Sequence, residues 1–148
     1  MSKNKTAVFQ KSVVSVKIGG KTHVFDAQKS LPVIGNNFED TLRRHSDEYY
    51  YWREKRDKIK KKLRSLKFQH ETLYTELYWK SFNVAEKEYN FVSGKVIEGL
   101  MRLFSEFETL TNLKSKLMRL EDELDKLESI VCAIEHRKTM LNLLVQLR

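Results

Sequence analysis

From Leu110 the chain repeats one apolar residue alternately three and four positions on: Leu110, Leu113, Leu117, Leu120, Leu124, Leu127, Val131 and Ile134. Four heptads without a miss leave few folds open, because that spacing puts one stripe of a helix against a partner helix. Glu121, Asp122, Glu123, Lys126 and Glu128 fall outside the stripe. Residues 99–148 carry eight basic and eight acidic groups, so this helix reads as scaffold and assembly surface rather than as a polyanion site. Its last stretch is more apolar, with Met140, Leu141, Leu143, Leu144, Val145 and Leu147, and such a surface has to be covered. The expected assembly residues are Leu117, Leu120, Leu124, Leu127, Val131, Ile134, Leu141 and Leu144.

A second seam lies upstream. Tyr49, Trp52, Arg56, Ile59, Leu63, Leu66, His70, Leu73 and Leu77 follow the same three-and-four spacing, with Arg56 and His70 as polar members that cost stability but fix register. Proline and glycine are both missing between Asn36 and Gly94, so nothing forces a break. The expected helix runs from about residue 38 to 81, roughly 60 Å at 1.5 Å per residue, which calls for a helical hairpin or coiled coil. It is expected to pair with the Leu110–Ile134 seam of its own chain. The mixed stretch with Gly94 and Gly99 is expected to turn the chain back.

The charge is uneven. Of the net +8, residues 42–81 supply most, with twelve basic groups against six acidic ones. Arg53, Lys60, Lys61, Arg64 and Lys67 line one side of the helix, and Lys55, Lys58 and Lys62 flank it. Few carboxylates lie three or four residues from the basic groups between Lys58 and Lys67, so the face points to a polyanion. Single strands need cations for phosphates and flat rings for unstacked bases. The candidate contacts are Arg53, Lys58, Lys60, Lys61, Lys62, Arg64 and Lys67, with Tyr50 and Tyr51 as stacking rings. Tyr49 and Trp52 belong to the seam.

Before the helices, Val14, Val16 and Ile18 alternate with Ser15 and Lys17, Gly19-Gly20 interrupts, and Thr22, Val24 and Phe25 resume. That is a β-hairpin with a primed turn, too small to stand alone and expected to dock on the helices or on a neighbour's sheet. Gly20-Lys21-Thr22 is not the end of a nucleotide-binding loop. The glycine needed five positions before Gly20 is Ser15, and a strand rather than a helix follows. Pro32, Gly35 and Asn36-Asn37 form a linker, with Asn37 as an N-cap. Residues 1–37 are therefore expected to be hairpin and linker, and 38–148 the helical domain for DNA binding and oligomerisation.

The fold class is mainly α, a long helical hairpin or coiled coil with a small N-terminal β-hairpin. Cys132 alone cannot make an intramolecular disulfide, and it sits beside Val131 as a packing residue. His23, His45, His70 and His136 are scattered without zinc-site spacing, and the nucleophile and metalloprotease signatures are missing. An enzyme is not expected, nor a metal or cofactor. An apolar run long enough to span a bilayer and an N-terminal signal are also missing, so the expected place is the cytoplasm, that of the host cell if a phage encodes the chain.

Three places carry a family resemblance. His45-Ser46-Asp47-Glu48-Tyr49-Tyr50 leads into the lysine-rich helix Lys58–Lys67. Leu73-Tyr74-Thr75-Glu76 resembles an LYxEK motif followed by aromatics. Leu127-Glu128-Ser129-Ile130, with Ile134, Arg137, Leu141 and Asn142, is similar to a closing LE-x-I…I-x-x-R…N pattern. Residues 42–148 thus resemble the UvsY-type recombination mediators of tailed phages. The resemblance implies an all-helical oligomeric ring that binds single-stranded DNA, helps a RecA-like recombinase displace single-strand-binding protein, and itself hydrolyses nothing. Two departures stand out. Leu77 replaces the family's basic residue after Glu76, so a contact there is lost or moves to Lys80, and the hairpin of residues 12–26 is outside the family pattern.

The expected function is single-strand binding and recombinase loading by a basic helix face presented in an oligomer. One rival is a structural or adaptor coiled coil, a virion or assembly factor, whose basic helix meets an acidic protein. A duplex-binding regulator is the other, disfavoured because the basic run shares its helix with a seam.

Overall fold

The structure is a computed structural model, and it describes residues 13–27, 38–90 and 92–147. The chain is mainly helical, with one small two-stranded sheet. The elements are β1 (Val13–Ile18), β2 (Lys21–Asp26), α1 (Phe38–Val84), a π-helical turn (Ala85–Tyr89), α2 (Gly94–Met101) and α3 (Glu106–Gln146). The linker at residues 30–37, with the proposed cap Asn37, lies outside the described residues. Glu39 and Asp40 in the first turn of α1 put negative charge where the helix dipole favours it.

The return between the long helices differs from the expectation. The π-helical turn ends at Asn90 in the left-handed conformation (φ 52°). Ser93 then starts α2, its Oγ accepting a hydrogen bond from the Val96 backbone N–H at 3.3 Å. Gly99 therefore sits inside a helix rather than in a turn. Ile97 and Met101 point α2's apolar side inward, and a one-turn spacing of buried residues was hidden by the two glycines.

The chain forms two compact units, residues 1–60 with 122–148, and residues 61–121. In the first, the Tyr49 hydroxyl donates to Glu135 Oε1 (3.3 Å) and Lys60 pairs with Glu128 (3.3 Å). Partners descend α3 as they ascend α1, so the two stretches are antiparallel. Trp52, Ile59, Leu127, Ile130, Val131, Ile134 and Leu141 are buried there. The hairpin docks on this unit. Gly19 (φ 58°) and Gly20 (φ 79°) make the primed turn, and Val14↔Phe25 and Val16↔His23 set the register. Val16 and Phe25 are buried, with the Phe25 ring edge-on to Trp52 at 5.8 Å, and the Lys17 backbone N–H donates to Glu123 Oε2 at 2.9 Å.

In the second unit Lys67 pairs with Glu121 (3.7 Å) and Lys80 with Glu106 (3.0 Å), again antiparallel. Leu77, Ile97, Met101 and Leu110 form the core, with Leu73, Tyr78, Phe82, Phe104 and Phe107 packed against it. No helix among the described residues is long and apolar enough to cross a membrane.

Candidate nucleic-acid interface

The expected basic residues divide between the units and differ in what their charges meet. In the first unit, Lys58 pairs with Glu54 one turn back (3.1 Å) and Lys60 with Glu128 on α3 (3.3 Å). Arg53 lies over the Tyr49 ring at 5.8 Å, a cation–π contact. In the second unit Lys67 pairs with Glu121. Lys61, Lys62 and Arg64 are exposed, and none of them makes an ion pair among the described residues. Glu54 lies within the i,i+4 reach of Lys58 on the same helix, but sequence spacing left Lys60 and Lys67 without carboxylates, because a search along one helix cannot see Glu128 and Glu121 arriving from another. Exposed pairs of this kind contribute about 0–1 kcal/mol each, so they soften the basic face without closing it.

The two stacking candidates also part company. Tyr51 is held by the hairpin: its hydroxyl shares a hydrogen bond with His23 Nδ1, its ring stands edge-on to Trp52 (5.1 Å), and Lys55 lies 5.3 Å above it. Tyr50 is 66% exposed and keeps an open face. A ladder of rings, of which only His70 belongs to the seam read from sequence, lies in the second unit. His70 and Tyr74 stack at 6.5 Å and 18°, and Tyr74 and Tyr78 at 6.4 Å and 27°. Their four-residue spacing was the available signal. Lys80, a stand-in for the contact displaced by Leu77, is bound to Glu106, whose carboxyl it holds below the usual range through that hydrogen bond.

Of the expected assembly residues, Leu117, Leu127, Val131, Ile134 and Leu141 are buried within the chain, and Leu120 and Leu124 are half-buried. Leu144 remains exposed, together with Met140, Leu143, Val145 and Leu147. The seam is therefore used inside each unit, and the apolar end of α3 is the surface still open.

A buried polar cluster was not foreseen. Arg137, 4% exposed, donates from Nε to His45 Nδ1 (3.1 Å) and from Nη1 to Glu48 Oε2 (3.1 Å). Accepting at Nδ1 requires a neutral imidazole with its proton on Nε2. Burial, then the nearby charges of Arg137 and Lys138, push the His45 pKa below its ordinary value. His45, four residues before Tyr49, and Arg137, three after Ile134, extend the seams read from sequence, where polar residue types hid the periodicity. Cys132, expected to pack, is exposed. Among the described residues no group of three or more His, Cys, Asp or Glu is placed to hold a metal ion. Comparison with protein-family models, curated proteins and solved structures found no match.

Proposed function

We propose that the chain is a single-stranded DNA-binding recombination mediator that loads a RecA-like recombinase in place of single-strand-binding protein. The observation that carries the reading is the run Lys61, Lys62 and Arg64, three exposed cations on one helix with no carboxylate partner among the described residues. Phosphates would replace water and counterions there, giving sequence-independent affinity that falls with salt. The resemblance of residues 42–148 to the UvsY-type mediators supplies the biological task. The exposed apolar end of α3 supports self-association into an oligomer, a ring in that family, which would multiply a weak face into a strong one. Such a protein would work in the cytoplasm, without cofactor or catalysis.

One observation favours the adaptor reading instead. Lys58, Lys60 and Lys67 already meet glutamates of this chain, as the charges of a structural coiled coil do. Recombinase assembly on a single strand coated with single-strand-binding protein separates the two. The mediator reading expects the chain to shorten the assembly lag, and the variant Lys61→Ala/Lys62→Ala/Arg64→Ala to lose that effect while keeping its helical content. A chain that neither binds oligo-dT at low salt nor alters the lag would be the adaptor.

A further inference from the structure

The second unit holds a cavity of about 350 Å³ that the basic face does not include. It lies at the lower end of the roughly 300–1,000 Å³ range of small-ligand sites. His70 and Tyr74 form one wall, the first two rings of the stacked ladder. Met101 and Leu110, both buried, form the floor, with Phe107 beside them. Arg102 and Lys114 are exposed at its edge, and neither makes an ion pair among the described residues. Glu98 also lines it.

These groups match the parts of a nucleotide one by one. An apolar floor beside Tyr74, a residue that is 44% exposed, takes a flat, unstacked base. Two cations at the edge take the phosphate that follows it. Glu98 is an acceptor for an N–H on the base edge, which thymine, cytosine, adenine and guanine all present, so the pocket would select for an unpaired base without reading which one. Duplex DNA cannot insert a base there, because its bases are stacked and paired. Tyr74 also follows Lys67 by seven residues on the same stripe of α1, about 10 Å along the helix, so a strand tracking the cations of this unit meets the cavity next.

We propose that this cavity is a base-binding subsite, in which one unpaired nucleobase of a bound single strand inserts against Tyr74 and Met101 while Arg102 and Lys114 hold its phosphate. The inference rests on the single-strand reading above and assigns it a specific pocket that accounts for single-strand over duplex preference.

The test uses the full chain carrying ¹³C-methyl methionine. Met101 reports from the floor, and Met118 and Met140, which are exposed, serve as controls. Oligo-dT and an abasic phosphodiester of equal length should both bind, but only oligo-dT should move the Met101 methyl, through the ring current of the inserted base. Oligo-dT should bind on the order of tenfold more tightly than the abasic strand. Tyr74→Leu should remove that preference and leave the abasic affinity unchanged, and Arg102→Ala should weaken the binding of both strands and the Met101 shift. Thymidine monophosphate at the same nucleotide concentration should give a much smaller shift. An equal shift would assign the cavity to free nucleotides and overturn the proposal. Oligo-dT binding that leaves Met101 unmoved would overturn the subsite and spare the single-strand reading. Failure of both oligonucleotides to bind at low salt would remove that reading, and the subsite with it.

Discussion

The two units use the same pair of helices and the same heptad spacing, and both carry exposed lysine–glutamate pairs between the helices, yet their centres differ. The first holds a buried polar cluster, Arg137 between His45 and Glu48, and its Tyr51 is capped by the hairpin. In the second the centre is apolar, Leu77 with Ile97, Met101 and Leu110, and Lys61, Lys62 and Arg64 stay exposed. A buried polar cluster fixes register at a cost in stability, whereas an apolar centre leaves the surface free to be built for a ligand. Under the proposed single-strand reading, the first unit would anchor and the second would recognise the strand.

The largest effect should come from breaking each centre. Arg137→Ala leaves the half-buried Glu48 and the buried His45 without their shared partner and should cost about 3–5 kcal/mol. Leu77→Ala, at 1% exposure, should cost about 2–5 kcal/mol by cavity formation. Native-state hydrogen exchange would tell them apart: the first should loosen amides in residues 38–60 and 122–147, the second those in 61–121. Uniform loosening by both would show that the two centres do not differ in reach.

Acidity gives a second way to separate them. His45 has its pKa depressed in the folded chain, so the unfolded chain binds a proton more readily. The stability it contributes is present above the ordinary value of about 6.5 and is lost as the pH falls below it. Thermal melts should therefore show a loss of stability between pH 7.5 and 5.5 that His45→Gln flattens. A profile unchanged by that substitution would place the acid sensitivity elsewhere.

The cation pairs give a smaller and more telling effect. Glu121→Gln and Glu128→Gln each remove an exposed partner and should change stability by less than about 1 kcal/mol. Both release a lysine for phosphate, so oligo-dT affinity should rise, with its salt slope steeper by about 0.7 for each freed charge. Unchanged affinity would mean that Lys60 and Lys67 face away from the strand.

What the sequence made legible, and what it hid, follows from how each signal is written. Both seams could be read because apolar residues repeat locally, and Trp52, Ile59, Leu63, Leu77, Leu117, Leu127, Val131 and Ile134 are all buried. The hairpin was readable from Gly19-Gly20 between alternating strands. The seams continue through Thr41, His45, Ser81 and Arg137, all buried, where polar types masked the period. Short α2 was missed because two glycines in eight residues look like a turn, while its Ser93 cap and the Ile97–Met101 spacing carry the helix. The glutamate partners of Lys60 and Lys67, and the cavity by Tyr74, arise from residues far apart in the chain, and no local pattern encodes such meetings.

The central claim is that recognition belongs to the open cations of the second unit. It is tested most directly by oligo-dT affinity against salt for two triple variants, Lys61→Ala/Lys62→Ala/Arg64→Ala and Arg53→Ala/Lys58→Ala/Lys60→Ala. The account predicts that the first reduces the salt slope by about 2, from roughly 0.7 per phosphate contact, and the second by less than about 1. Equal losses from the two variants, or a larger loss from the second, would contradict it.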